Sequence, residues 1–479
     1  MKKIFTYLLL FIVIFPLYPA VSLSDFSRLP APRSSGRAEK KPEVRITGEK
    51  FSLHADKTPL KNILQRIAES GVTVRIDPEL NPDISASFED RDIQKGLDSI
   101  LKTLNHVLIW DSVEVAKGRI FKLAEIQVFQ PGKKERMKKL KKNSALAVVK
   151  NPKDGSLFVK DEILLRLAPG MSFSEFKKLI EKIGGTIIEK NSALGIYKIR
   201  LPENTDVPAL TDMISKYPGI RKAEPNYAYH IGIAKELFPS LLGDAAVSPS
   251  KGAAPVAILD TGLAQVSGLD NLVTASLDAL NPDEPISDAQ GHGTQMALIA
   301  SGLIQPYGTT AASENYPPII SIKTFDENGF TSNFGIMRSL DFAIENGARV
   351  ASLSWGSETE SEFLEEALTY AESKNLIVVA AVGNKATGKP FYPAAYSSVI
   401  GVGALKPDGS SWENSNYGSF VDISAPGFAS LPVGYKGDPG AYAGTSISTA
   451  YTANRIAGYL SEHPKATKLQ VLAALKEMF

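Results

Sequence analysis

The chain has 479 residues, 43% of them hydrophobic and 22% charged, a composition ordinary for soluble globular protein and long enough for roughly two to four domains. A formal net charge of +1 gives it no polyelectrolyte character, which argues against nucleic acid as a partner. It has no cysteine, so disulfides and a lipidated cysteine are excluded and stability must rest on core packing, with bound ions as the available supplement.

The first residues, MKKIFTYLLLFIVIFPLYPAVSLS, combine two lysines, an apolar run from Ile4 to Leu17, a proline break and small residues around Ala20 and Ser22. This is the pattern of a secretory signal peptide over 1–22, too short and interrupted for a membrane span, and it predicts export to the periplasm or the medium. Residues 23–44, rich in Pro, Ser, Arg and Lys, read as a linker.

Between 45 and 128 the apolar pattern predicts a strand over 51–55, then a helix opened by Thr58-Pro59 with Leu60, Ile63, Leu64 and Ile67 on one face. Two strands follow at VTVRID and ISASFED; a second helix gathers Ile93, Leu97, Ile100, Leu101 and Leu104, and VLIWDS closes a βαββαβ unit. With its PLKNILQRIAE and VTVRIDPEL stretches, the unit resembles the short N-terminal domain of secretins and outer-membrane siderophore receptors. The resemblance implies a docking domain for an envelope protein, without chemistry of its own. The run KKERMKKLKK then marks 129–160 as a basic linker.

From 161 to 231 a second βαββαβ pattern appears, a small α+β domain like the first. Its elements are strand DEILLRLA, helix SFSEFKKLIEKIG, strands GTIIEKN and GIYKIRLP, helix VPALTDMISKYP and strand IRKAEPNYAYH. Residues 232–251 lack periodicity and end in small residues, Pro and Gly, as a connector would.

From 252 to 479, short apolar strands at 255–259, 318–324, 349–354, 376–382 and 398–404 alternate with helical runs such as NFGIMRSLDFAIENG. That alternation predicts an α/β fold with a mostly parallel sheet and helices on both faces, whose sites lie at the strand C-termini. In a closing helix, Leu469, Leu472 and Leu475 stand at helical spacing and are read as packing. Chemistry collects where it should. Asp260 ends PVAILD, His292 opens a helix in GHGTQMALIASG, Asn384 follows LIVVAAVG, and Ser446 stands in GTS at the start of a long apolar helix. A serine there has its N–H in the free first turn, beside the positive end of the macrodipole. Its hydroxyl is a weak nucleophile until an imidazole held by a carboxylate takes the proton, and the chain supplies both. A single Asp-Thr-Gly argues against a two-carboxylate protease. The other histidines, His54, His106, His230 and His463, have no partner motif and read as structural.

Asp, His, Asn and Ser in this order resemble the subtilase family over residues 252–479. The resemblance implies a subtilisin-like fold with Asp260 as orienting carboxylate, His292 as general base, Ser446 as nucleophile and Asn384 as oxyanion donor. It further implies that ENGFTS, with Gly329 and Phe330, forms the outer strand of a substrate cleft. Ser354, Trp355 and Gly356 of ASLSWGS, with Ala381, Val382 and Gly383 of AAVGN, would wall the pocket for the residue before the scissile bond. The 161–231 domain, with LGIY and AEPNY, resembles the propeptide that precedes many subtilases. A secreted serine endopeptidase made as a self-inhibited precursor is the function implied, with protein or peptide substrates and its own propeptide as partners. Its first cut, by Ser446, is expected between Tyr229 and Ala254. The chemistry needs no cofactor; calcium is common in the family, and Asp270 and Asp278 are the candidate ligands, though no loop has a recognisable spacing. The chain departs from the family at Ile447, Ala450 and Gln295, none of which carries a proton. The rival reading is a catalytically inactive envelope adaptor that uses this fold as a peptide-binding scaffold.

Overall fold

A computed structural model describes residues 43–47, 50–69, 72–115, 118–140, 145–231, 235–238, 248–266, 268–309, 315–432 and 440–479. The signal peptide, nearly all of the 23–44 linker and most of the 232–251 connector lie outside them.

Seven strands form one parallel sheet in the order Val273–Asp278, Ile319–Lys323, Val256–Asp260, Val350–Leu353, Ile377–Ala381, Val399–Leu405, Ile423–Pro426. The strand Val256–Asp260 shows why the sheet is covered twice. Val256 and Ile258 pack towards the helices His292–Ala300 and Thr445–Glu462, while Ala257 and Leu259 pack towards Asn333–Glu345 and Glu362–Ser373. Continuous apolar runs are what a strand buried on both faces requires, and each fully buried Val, Ile or Leu contributes about 1.5–3 kcal/mol. Both helices on the second face are started by a serine: the Ser332 hydroxyl accepts from Gly335 N–H and the Ser361 hydroxyl from Leu364 N–H. In the closing helix Lys468–Met478, Val471 and Leu475 are the buried pair, four residues apart, with Leu472 partly buried beside them. Leu469, expected to pack, is 74% exposed because it stands two positions before Val471, on the opposite side of the helix.

The 161–231 region folds as its pattern predicts. An antiparallel sheet runs Thr186–Asn191, Ile196–Arg200, Leu157–Leu167, Ile220–His230, and the helices Phe173–Lys182 and Val207–Ile214 pack on it. Ser172 and Glu175 close a reciprocal capping box at the first helix, legible in the sequence as S-F-S-E. The sheet does not stop at its own last strand: Ile220–His230 pairs antiparallel with Phe330–Ser332 of the catalytic region.

The N-terminal module has the two expected helices, Leu60–Glu69 and Ile93–Ile100, but its strands divide into two sheets. One holds Glu43–Thr47, Lys50–Pro59 and Asp83–Asp92; the other holds Asn105–Val115, Gly118–Phe129, Thr73–Ile76 and Lys138–Lys139. Phe51, Leu60, Leu97 and Ile126 draw both sheets into one core. The stretch 129–160 is therefore not a bare linker: Lys138–Lys139 pairs with Thr73–Ile76, and Val148–Lys150 pairs with Leu157–Leu167. A lysine-rich edge strand gives no apolar alternation to read.

Candidate active site

Asp260 and His292 come from neighbouring elements, the end of one strand and the first residue of the helix beside it. Their closeness depends on two glycines. A Cβ on Gly293 would lie 2.4 Å from Gly262 O, and one on Gly262, whose φ is +124°, would lie 2.1 Å from Ser287 O. With no side chain at either, His292 Nδ1 reaches Asp260 Oδ1 at 2.7 Å, and both residues are 1% exposed. Burial alone draws the His292 pKa down, but the charge and hydrogen bond of Asp260, joined by the charge of Asp288, outweigh it and hold it above the ordinary imidazole value. Asp260 Oδ2 and His292 Nε2 have no hydrogen-bond partner among the described residues.

Asp288, which belongs to none of the sequence motifs, organises this corner. Its Oδ1 accepts from Thr261 Oγ1 and from the N–H groups of Gln290 and Gly291, and its Oδ2 from Thr294 N–H and Oγ1. Thr261 Oγ1 in turn accepts from Gly293 N–H. The carboxylate thus ties the strand end to the helix start. Its only signal in the sequence is an aspartate four residues before the histidine.

Ser446 is the second residue of Thr445–Glu462 and is 4% exposed. That helix packs beside His292–Ala300. The Ser446 hydroxyl donates to Ser354 O at 3.2 Å, and the Ser354 hydroxyl returns a 3.3 Å bond to Ser446 O. Asn384 Oδ1 accepts from Thr445 N–H and Oγ1, both at 2.9 Å, which fixes its amide beside the nucleophile. Ile447, Ala450 and Gln295, the departures from the family pattern, are all buried.

The expected cleft residues do not share one setting. Gly329 and Phe330 lie at the edge paired to Ile220–His230, and the Ile231 N–H donates to Gly329 O at 2.9 Å. Asp326, which accepts from Asn328 and Phe330 N–H and from Leu146 N–H, holds that edge. Ser354 O accepts the Ser446 hydroxyl, Gly383 directly precedes Asn384, and the Phe391 ring, which no motif marks, lies against Gly356 and Gly383. Ala381 and Val382 are buried at the end of their strand. Trp355, read as pocket wall, is only 2% exposed: its ring lies 5.5 Å from that of Tyr229 and 5.7 Å from that of Phe325, and Nε1 donates to Leu259 O. As for the candidate calcium ligands, Asp278 Oδ1 accepts from Leu280 and Asn281 N–H within its own turn, and no group of three or more metal-binding side chains occurs among the described residues.

Comparison with known proteins places the fold in a family. The profile of the subtilase family matches residues 252–478, and that of the fervidolysin N-terminal prodomain matches 143–226. Subtilisin Savinase of Lederbergia lenta is 34% identical over 223 residues, 46% of this chain and 81% of its own. Thermitase of Thermoactinomyces vulgaris is 30% identical over 217 residues, 44% and 76% of the two chains. A thermophilic serine proteinase of Bacillus sp. (strain AK1) is 28% identical over 309 residues, 62% of this chain and 77% of its own. Among solved structures, fervidolysin from Fervidobacterium pennivorans superposes with a TM-score of 0.54 at 22% identity, covering 68% of this chain and 58% of that one, a likeness of fold. The chain belongs to the subtilase family and is a subtilisin-like serine endopeptidase with an N-terminal prodomain.

Proposed function

We propose that Asp260, His292, Ser446 and Asn384 carry the reaction and that the prodomain silences it until the chain cuts itself. The Ser446 hydroxyl leaves Ser354 O, turns to His292 Nε2 and attacks a peptide carbonyl while the imidazole takes its proton. Asp260 keeps the other ring proton on Nδ1 and balances the imidazolium. The Ser446 N–H and the Asn384 amide donate to the oxyanion; His292 then protonates the leaving amine, and water releases the acyl-enzyme. The family's chemistry needs no cofactor; a calcium ion, if held, is structural.

One observation supports self-inhibition above the rest: the chain is paired to the catalytic domain on both sides of the stretch 231–234. Before it, Ala228, Tyr229 and His230 pair with Ser332, Thr331 and Phe330; after it, Lys235–Phe238 pairs with Gly440–Ala443, the strand that leads into Ser446. Between these strands lie residues 232–234, outside the described set, so the expected window of 229–254 narrows to the bonds between Ile231 and Lys235. Substrates would bind as Ile220–His230 does, adding an extended strand to the Gly329–Ser332 edge. The signal peptide implies export, and the 45–128 module a docking role on an envelope protein. Among the described residues no helix is long and apolar enough to cross a membrane.

A serine-directed phosphonate tests the catalytic assignment. It should label the processed protein at Ser446, and Ser446→Ala should lower peptide hydrolysis about a million-fold, the scale of the same triad in subtilisin. A processed protein that hydrolyses peptides but is not labelled, or Ser446→Ala activity within tenfold of wild type, contradicts it.

A further inference from the structure

Two glycines stand close in sequence to residues that hold the nucleophile's turn. Gly356 lies two residues beyond Ser354, whose carbonyl accepts the Ser446 hydroxyl, and Gly383 directly precedes Asn384, which holds Thr445. An aromatic ring lies against both of these glycine backbones, in space that side chains would otherwise take. A Cβ on Gly356 would lie 2.5 Å from Phe391 Cε1, and a Cβ on Gly383 would lie 3.2 Å from the same atom. Phe391 is half-buried, and its chain neighbours are tied to both walls. On one side Ser357 and Tyr392 exchange two backbone hydrogen bonds, of 2.8 and 2.7 Å. On the other, Asn416 donates from its backbone N–H to Gly383 O and from Nδ2 to Lys389 O, while its Oδ1 accepts from Gly388 N–H.

We infer that Phe391 is the floor of the pocket that receives the side chain before the scissile bond, and that it restricts this residue to Gly, Ala or Ser. The inference rests on the proposed roles of Ser446 and of the 354–356 and 381–383 walls. A leucine or phenylalanine side chain needs the volume that the Phe391 ring fills. Forcing extra carbons into packed space is disfavoured enough to cost roughly 10- to 100-fold in kcat/KM. The chain's own sequence agrees: the stretch between Ile231 and Lys235 is Gly232-Ile233-Ala234, two of whose three residues are small. Self-cutting after Gly232 or Ala234 satisfies the pocket; cutting after Ile233 does not.

The experiment uses the processed enzyme and four peptides identical except for Ala, Ser, Leu or Phe before the scissile bond. Wild type should cleave the Ala and Ser peptides at least about tenfold faster in kcat/KM than the Leu and Phe peptides. Phe391→Gly should raise the ratio of Phe-peptide to Ala-peptide cleavage by at least about tenfold, with Phe391→Val raising it less. Wild type that cleaves the Leu or Phe peptide as well as the Ala peptide overturns the inference. That result needs no variant to fold. If none of the four peptides is hydrolysed, the proposed catalytic assignment falls and this inference with it, a pattern distinct from indifference to the residue.

Discussion

His292 is a base whose setting pulls two ways: burial opposes its charge, and Asp260 at 2.7 Å, with Asp288, favours it and prevails. The sign of the pH dependence follows. Catalysis needs the neutral imidazole, and a raised pKa means that the proton returns at a higher pH on acidification. The acid limb of kcat/KM should therefore lie above the ordinary imidazole value of about 6.5. Asp260→Asn should move that limb down and lower kcat by about 10⁴-fold; a limb that stays in place would show that another group sets it. Asn384→Ala should cost about 10²- to 10³-fold in kcat, since the Ser446 N–H remains as a donor. At this scale the sequence was most legible where glycine flanks a reactive residue, as in Gly291-His292-Gly293 and Gly444-Thr445-Ser446. Asp288 and Phe391 were not legible because they act through loop geometry, which brings no periodicity with it.

The strand Ile220–His230 is the element through which the prodomain holds the enzyme. Glu224 Oε2 accepts from the Ser361 hydroxyl and Oε1 from the Glu362 N–H, so a prodomain carboxylate sits on the N-terminus of the helix Glu362–Ser373. Asn226 Oδ1 accepts from Phe334 N–H at the next helix, and the fully buried Tyr229 donates its hydroxyl to Asn333 Oδ1 at 2.8 Å. Ion pairs of Lys222 with Glu362 and of Arg338 with Glu189, and Arg166 with Glu366 at 2.5 Å, surround this seam. Losing one buried, charge-assisted cap costs about 1–2 kcal/mol. Glu224→Ala should thus shorten the lag between self-cutting and the appearance of peptidase activity roughly tenfold. An unchanged lag would mean that the strand is held elsewhere. The sequence showed this strand through AEPNY but not its reach onto Phe330–Ser332, because pairing between distant strands leaves no local pattern.

For the whole molecule, the N-terminal module stands apart from the prodomain and catalytic seam in how it is attached. Described side-chain links include Arg66–Glu203 at 2.9 Å and Lys139–Glu284 at 3.2 Å, partly exposed pairs worth about 0–1 kcal/mol each. Its core of Phe51, Leu60, Leu97 and Ile126 is its own. Removing the module through Leu140 should leave kcat/KM of the processed enzyme for a short peptide within about twofold, as expected where no side chain of the site is touched; a loss of tenfold or more would place the module in the catalytic machinery. Its helices were legible from i, i+3 and i+4 apolar spacing, while its division into two sheets was not, since strand partners follow from tertiary packing. The central claim is that this subtilase cuts itself with Ser446 at the junction between Ile231 and Lys235. Intact mass and N-terminal sequence of purified wild type and Ser446→Ala test it most directly. Wild type should begin within residues 232–235, while Ser446→Ala should keep the junction uncut; a Ser446→Ala protein clipped there at the wild-type rate, with no protease added, would contradict the account.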